Sequence, residues 1–254
     1  MSPASLFIRG RNKILRKTGE MAFRRTVQIR LERPVVSFTF DDFPRSALHN
    51  AGAILKQHGC AGSYYASAGR MGREEGDLFV AEDLERLLAD GHELGCHTFH
   101  HYDAMFTSPW RFEASIAQNR RALQTIVPGA AVRTLAYPLS NPNAGVKRAA
   151  GRHSACCRGG GQTLNSGSAD LNCLKGFFLE QSRDRPQAIF EMIRQNKDER
   201  GWLIFATHDV CEAPSPYGCV PELFEAIVEA ALDSGARVLT VAQAYDLLAA
   251  QAQA

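Results

Sequence analysis

The stretch VVSFTFDD at residues 35–42 decides the fold. Its first six residues, Val35–Phe40, are rich in β-branched and aromatic side chains and follow Pro34. Such a run is typical of a strand that is buried on both faces of a sheet. It ends abruptly at two carboxylates, Asp41 and Asp42. We therefore predict a buried strand that carries Asp41 and Asp42 at its C-terminal end.

The sequence that follows this strand alternates between helical and extended patterns. Helical periodicity at residues 47–58 and a short apolar run at residues 62–66 complete a βαβ unit. An amphipathic helix follows at residues 81–90, and then a short strand at residues 93–96. This alternation favours a mostly parallel sheet, in which the chemistry lies at the C-terminal ends of the strands. The further predicted helices are residues 110–126, 186–194, 221–233 and 241–249, and the further strands are residues 132–137, 202–206 and 237–240.

The length and charge of the chain limit its domain organisation and its partners. A chain of 254 residues with 45% hydrophobic content suits one α/β barrel or two small domains, and barrels of this size are routinely a single domain. The formal net charge of +2 is too balanced for nucleic-acid binding over the whole surface, so no nucleic-acid partner is predicted. Residues 1–33 hold nine Lys or Arg against two Glu, a net of +7. We therefore predict a basic N-terminal arm at residues 1–33 and a main domain at residues 34–254.

The cysteines and the early apolar residues bear on the location of the protein. No long apolar run follows the first basic residues, so neither a signal peptide nor a membrane span is predicted. The seven cysteines match neither a secreted disulfide framework nor a paired zinc motif, and we expect free thiols. These features predict a cytoplasmic protein. The basic arm either packs against the main domain or contacts a phosphorylated substrate or the anionic inner face of the membrane. The sequence does not define an oligomeric state.

Two histidines are spaced so that they can share one metal ion. His97 and His101 are four residues apart, which places both imidazoles on one side if residues 98–101 begin a helical turn. A carboxylate from another strand end, such as Asp42, would complete a triad that leaves coordination positions open for catalysis. His100 is an alternative ligand on the neighbouring face, and Cys96 lies next to His97.

The paired carboxylates and a later histidine provide the remaining candidate groups. Consecutive residues at a strand end point in different directions, so Asp41 and Asp42 can take different roles, as base and as metal ligand. Helix capping is the alternative role for this pair. The predicted strand at residues 202–206 delivers His208 to the same end of the sheet, where it is a candidate general acid.

Five segments in this order resemble the polysaccharide deacetylase family, the NodB-homology domain of carbohydrate esterases. They are FTFDD (residues 38–42), GHELGCHTFHH (91–101), LAYP (135–138), LIFATHD (203–209) and SGARVLTVAQA (234–244). The resemblance extends from Pro34 to Leu248, and the combination of TFDD with HTxxH is highly specific. It implies that residues 34–254 are a deacetylase-like catalytic domain. The implied fold is a distorted parallel (β/α) barrel with fewer than eight strands.

The resemblance also implies a role for each site residue. Asp41 would be the general base, and His208 the general acid. The metal ligands would be Asp42, His97 and His101. The backbone N–H of Tyr137 would contact the oxyanion. An Asp/His/His set suits zinc, and cobalt, nickel or iron would also fit.

Two family features are absent at the expected positions. Ala136 stands where many members have an arginine that braces the base, and Arg133 and Arg158 are the candidates to replace it. The aspartate-tryptophan motif that orients the catalytic histidine is not recognisable. Asp170, Glu180 and Asp184 are the candidates for that role.

The predicted function is hydrolysis of an acetyl or formyl group from the nitrogen of an amino sugar. Because the protein is expected inside the cell, we predict a nucleotide-linked or lipid-linked precursor of a surface polysaccharide, such as an O-antigen, as the substrate. The alternatives are hydrolysis of another amide, an imide or an O-acetyl ester on the same scaffold, and an inactive carbohydrate-binding module.

Overall fold

The computed structural model describes residues 15–251. Arg9, Arg11 and Lys13 of the predicted basic arm lie outside the described residues. Ten strands are present in this part of the chain: β1 Thr26–Ile29, β2 Val35–Phe40, β3 Ser63–Ala66, β4 Glu93–Cys96, β5 Leu135–Ala136, β6 Cys157–Arg158, β7 Gly167–Asp170, β8 Phe177–Phe178, β9 Trp202–Thr207 and β10 Arg237–Val238.

Helices separate most of these strands. A π-helical segment at Ala47–Gly52 continues directly into α1 Ala53–Gln57, and residues 15–21 are also helical. Short 3-10 turns occupy Ala68–Arg70 and Leu179–Ser182. The remaining helices are α2 Ala81–Ala89, α3 Pro109–Ile126, α4 Ala144–His153, α5 Gln187–Glu199, α6 Pro221–Asp233 and α7 Val241–Gln251.

The main sheet is parallel and curls into a distorted (β/α) barrel, as predicted. Its strands follow the order β6-β5-β4-β3-β2-β9-β8, a path of seven strands, and every neighbouring pair is parallel. The short β10 pairs with the beginning of β2 and lies off this path. All C-terminal strand ends of the path therefore meet at one end of the barrel, where they can contribute side chains to one site.

The predicted strand at residues 35–40 lies in the middle of the sheet. All six residues of β2 are buried, and each pairs in register with a residue of β9. The ring of Phe38 stacks on that of Phe205 with centroids 5.6 Å apart and meets Phe224 of α6 edge-on. Burial of a large aromatic side chain stabilises a fold by about 1.5–3 kcal/mol relative to exposure. This aromatic layer holds the strand end that carries Asp41 and Asp42.

The observed elements agree closely with most of the predicted ones. The predicted strand at residues 132–137 is shorter than expected, because only Leu135 and Ala136 pair with the neighbouring strands. The predicted helix at residues 47–58 is wound as a π-helix over its first half. Strand β1 was not predicted; it pairs antiparallel with β7 in a separate two-stranded sheet.

The described part of the basic arm packs against the main domain. The ammonium group of the fully buried Lys147 donates to the carbonyl oxygens of Gly19 and Glu20, at 2.9 Å each. The same group lies 2.6 Å from a carboxylate oxygen of Asp170 in β7. Residues 15–33 are thus fixed by a buried charge and by β1. No helix within residues 15–251 is long and apolar enough to span a membrane.

Candidate active site

The C-terminal ends of the central strands surround one cavity of about 600 Å³. This volume lies within the range of about 300–1,000 Å³ that is typical of small-molecule sites. Asp41 and Asp42 follow β2 directly, His97 follows β4, and His208 follows β9. All four residues line the cavity, together with His101. The structure therefore brings together the base, acid and ligand candidates that the sequence predicted.

The three predicted metal ligands form a compact triad. The Nε2 atoms of His97 and His101 lie 3.8 Å and 3.2 Å from Oδ1 of Asp42. One donor atom from each residue lies within 4.8 Å of those of the other two. Two imidazole nitrogens and one carboxylate oxygen suit zinc and similar divalent ions, and three protein ligands leave positions open for water and substrate. The triad therefore fits a catalytic metal ion.

The backbone around the two histidines differs from the predicted helical turn. Residues 97–101 form an irregular loop, in which Thr98 and His101 have positive φ values of 60° and 53°. Ser115 of α3 stabilises this loop, because its Oγ accepts hydrogen bonds from the N–H groups of Phe99 and His100. The helical explanation for the four-residue spacing was therefore wrong. The left-handed residues bring the imidazoles together instead.

A hydrogen bond at the Nδ1 atom of His97 orients this side chain for metal binding. Its Nδ1 lies 2.9 Å from the carbonyl oxygen of Ala136. A carbonyl oxygen only accepts, so Nδ1 carries the proton and Nε2 offers its lone pair to the triad. Burial lowers the pKa of His97, and it lowers the pKa of His101 to about 4. Both imidazoles are thus neutral at pH 7, as metal binding requires.

His100 and Cys96, which lie close to the triad in the sequence, have other environments. His100 lines the cavity, but its ring stacks on Tyr102 at 4.8 Å and it is not part of the triad. The sulfur of Cys96 is buried and accepts hydrogen bonds from the N–H of Thr98 and the side-chain amide of Asn119. Neither residue belongs to the triad.

Asp41 is buried beside a buried arginine. A guanidinium N–H of Arg158 donates to Oδ1 of Asp41, and both side chains are almost inaccessible to solvent. Burial alone would raise the pKa of Asp41, but Arg158, His97 and His208 outweigh this effect and hold the pKa below its usual range. Asp41 is therefore ionised at neutral pH and able to accept a proton.

The comparison with known families agrees with this geometry. The family model of polysaccharide deacetylases matches residues 28–155. The chain belongs to the polysaccharide deacetylase family. A comparison with curated protein sequences found no significant match.

Solved structures show where this deacetylase fold recurs. The Xyl-CE4 domain of a multidomain xylanase from the hindgut metagenome of Trinervitermes trinervoides has a TM-score of 0.61 and 16% identity, over 85% of this chain and 91% of that chain. A family 4 acetyl xylan esterase from Clostridium thermocellum, in complex with a cobalt ion, has a TM-score of 0.59 and 20% identity, over 84% and 91%. A family 4 pseudoenzyme from Bacillus anthracis has a TM-score of 0.59 and 13% identity, over 85% and 66%. Because one of these structures is a pseudoenzyme, the fold alone does not establish activity.

The arginine beside Asp41 comes from β6. Of the two candidates that the sequence offered, Arg133 pairs with Asp246 on the exposed surface at 2.8 Å. Arg158 instead reaches Asp41 from the end of β6, and its guanidinium lies between the rings of Tyr65 and Phe178. Of the two candidates, Arg158 is therefore the one that contacts Asp41.

The three acidic residues that were candidates to orient His208 lie in different environments. Asp170 is bound to Lys147, and Asp184 is exposed. Glu180 lines the cavity with His208, and burial raises its pKa. The Nδ1 atom of His208 is buried and has no hydrogen-bond partner among residues 15–251, and its ring packs on Tyr217 at 5.2 Å. Glu180 is thus the acidic candidate that the structure places in the cavity.

The predicted oxyanion contact from Tyr137 does not fit the structure. The N–H of Tyr137 donates to the carbonyl oxygen of Arg158 at 3.0 Å, as part of the pairing between β5 and β6. Its hydroxyl donates to the carbonyl oxygen of Asn172, and the residue is fully buried away from the cavity. Leu139, two residues later, does line the cavity, and its N–H has no acceptor among residues 15–251.

Sequence reasoning missed Arg70 altogether. Its Nη1 lies 2.6 Å from Oδ1 of Asp42, the same oxygen that faces the two histidines. The only sequence signal was its position: Arg70 follows the C-terminal end of β3, as the other site residues follow their strands.

Proposed function

We propose that this deacetylase removes an acetyl or formyl group from the nitrogen of an amino sugar with one divalent metal ion. The family hydrolyses acetyl groups on carbohydrates, and this part of the function follows from membership. One observation carries the finer proposal: the triad of two neutral imidazoles and the Asp42 carboxylate lines one cavity together with the ionised Asp41 and His208.

The chain supplies the ligands and the base of the reaction. Asp42, His97 and His101 would hold the ion, which would supply Lewis-acid chemistry to activate water at neutral pH and to polarise the acyl carbonyl. Asp41 takes the proton of the attacking water. Arg158 keeps Asp41 ionised and fixes its orientation, since it donates directly to Oδ1.

Other groups act on the oxygen and the nitrogen of the acyl bond. The N–H of Leu139 is the backbone donor we assign to the developing oxyanion, in place of Tyr137. Donors of this kind typically contribute about 3–4 kcal/mol to transition-state stabilisation. His208 gives a proton to the departing amine nitrogen, so that the product leaves as a neutral amine.

Zinc is the ion that we propose, because the donor set contains two imidazoles and one carboxylate. Cobalt, nickel and iron accept the same ligands. The cobalt ion in the esterase from Clostridium thermocellum is a property of that protein.

We further propose a cytoplasmic location and a precursor substrate. Within residues 15–251, which include all seven cysteines, no cysteine is joined to another, and free thiols suit a reducing compartment. A finished wall polymer is out of reach there, which favours a nucleotide-linked or lipid-linked amino sugar for a surface polysaccharide. Arg16, Lys17 and Arg24 are exposed on the described part of the arm and would favour the anionic inner face of the membrane.

A substrate screen with a matched pair of variants tests the reaction. The metal-loaded protein is assayed for release of acetate or formate from N-acetyl and N-formyl amino sugars, cyclic imides and O-acetyl esters. We expect the N-acylated sugars to be hydrolysed fastest. Asp41→Asn should keep its metal and lose about 10²- to 10⁴-fold in turnover. Asp198→Asn, on the exposed surface of α5, should behave as wild type. A preference for esters or imides would favour the alternative hydrolase.

A further inference from the structure

Two arginines line the cavity and have no part in the proposed chemistry. They are Arg70 and Arg73, which lie on one side of the site after β3. The backbone that carries Arg70 is firmly held: the buried amide of Asn119 accepts from the N–H of Ala68 at 2.7 Å. The hydroxyl of Ser67 also donates to the carbonyl oxygen of His97 at 2.9 Å. The backbone that carries Arg70 is therefore tied to the loop of residues 97–101.

Arg73 has no acidic partner within residues 15–251. Other arginines of the domain do pair, such as Arg45 with Asp83 at 2.8 Å and Arg152 with Glu113 at 3.0 Å. The Arg73 side chain is exposed at the edge of the cavity, and its backbone N–H is bonded to the carbonyl oxygen of Arg70. A cation at this place remains available to a ligand.

The charges around the cavity favour an anion once the metal is bound. The carboxylates of Asp41, Asp42 and Glu180 are matched in number by the guanidinium groups of Arg158, Arg70 and Arg73. A divalent ion therefore leaves the site with a net charge of about +2, which attracts anionic substrates into a cleft. A neutral sugar would gain nothing from this field.

We infer that Arg70 and Arg73 bind a phosphate group of the substrate, so that the amino sugar that is deacylated is phosphorylated. This inference rests on the proposed function and specifies its substrate class. Guanidinium groups recognise phosphate through charge-assisted hydrogen bonds. A phosphate has oxygens on several sides and can contact both arginines at once. A carboxylate has two oxygens, which the paired N–H donors of a single guanidinium group already satisfy. Because Arg70 also contacts Asp42, the phosphate lies near the acyl group that reacts.

The first test measures, for each variant, the ratio of kcat/KM for phosphorylated and neutral sugars. N-acetylglucosamine 1-phosphate, uridine diphosphate N-acetylglucosamine, N-acetylgalactosaminuronic acid and N-acetylglucosamine are supplied to the metal-loaded protein. For whichever of the two phosphorylated sugars reacts faster, we expect kcat/KM to exceed that of N-acetylglucosamine by at least about tenfold. This is the scale of one charge-assisted hydrogen bond. Arg73→Gln should reduce this preference about tenfold, whereas Arg121→Gln, an exposed arginine of α3, should retain it. The two phosphorylated sugars distinguish a simple phosphate from a diphosphate link. Equal rates for all four sugars, or a preference for the uronic acid, would overturn the inference and leave the deacylase function intact.

The second test measures binding and does not depend on turnover. Inorganic phosphate is titrated into the metal-loaded protein, and its Kd is measured by calorimetry. Phosphate bound only to the metal would be unaffected by Arg73, so the comparison of variants isolates the arginine site. We expect Arg73→Gln to weaken phosphate binding at least about fivefold and Arg121→Gln to leave it unchanged. Equal Kd values for all three proteins would contradict the inference, even if no N-acyl sugar were hydrolysed and the proposed function had failed.

Discussion

The buried pair of Arg158 and Asp41 provides a quantitative test of how the site is built. The Arg158 side chain has no exposed surface, and that of Asp41 is 6% exposed. The change Arg158→Met keeps an unbranched side chain and removes the charge. It leaves the Asp41 carboxylate buried without the group that donates to its Oδ1.

The expected cost follows from burial and distance. Two unit charges about 4 Å apart attract by about 4 kcal/mol at an effective dielectric constant of about 20. Removal of one partner from a buried pair typically costs about 3–5 kcal/mol. We therefore expect the free energy of unfolding to fall by about 3–5 kcal/mol in Arg158→Met. The pKa of Asp41 should rise, because burial then acts with less opposition, and kcat/KM should fall by about two orders of magnitude or more.

Urea denaturation of four proteins measures this effect. Wild type, Arg158→Met, Asp41→Asn and the double variant are compared in the presence of a chelator, so that metal binding does not contribute to stability. The double variant has no unpaired buried charge and should recover about half of the loss or more. The account of the pair is wrong if the free energy of unfolding of Arg158→Met lies within about 1 kcal/mol of that of wild type. It is also wrong if the double variant is as unstable as the two single changes added together.

Two further predictions concern other histidines. His208→Ala should lower kcat by about 10²- to 10⁴-fold with unchanged metal content, measured by acetate release and metal analysis. The surface change His153→Ala is its control, and a near wild-type rate in His208→Ala would assign the acid role to another group. Burial lowers the pKa of His92 from an ordinary 6.5 to about 4 in the folded protein. As the pH falls, His92 is therefore protonated in the unfolded chain before it is protonated in the folded protein, and this favours unfolding. Between pH 7 and pH 5 wild type should therefore lose about 2 kcal/mol more stability than His92→Gln, and parallel pH profiles from urea denaturation would contradict this.

The fold could be predicted largely from local patterns. The run at Val35–Phe40 is strongly apolar and ends in charge, and the observed strand has the same bounds. The helix at Pro221–Asp233 was predicted at both ends, because a proline begins it and Gly235 follows. Strand β1 was not predicted, since its sequence TVQI is short and half polar and its pairing with β7 joins residues far apart in the chain.

The candidate site was predictable where each residue follows a strong strand signal. Asp41, Asp42, His97 and His208 all satisfy this condition. The sequence could not decide between Arg133 and Arg158, because the contact of Arg158 with Asp41 depends on the position of β6 at the end of the sheet path. The contact of Arg70 with Asp42 joins different strand ends and has no local signature. Tyr137 was misassigned because motif position does not reveal that its N–H pairs with Arg158.

The dependence of turnover on metal tests the central claim most directly. The protein is stripped with a chelator, and acetate release from an N-acetylated sugar is measured while zinc is added in known equivalents. The triad of Asp42, His97 and His101 predicts no turnover without metal and a linear rise that stops at one equivalent per chain. Asp42→Ala should show no such rise at these concentrations. Full turnover in the stripped protein, or a rise that continues to two equivalents, would contradict a single catalytic ion held by this triad.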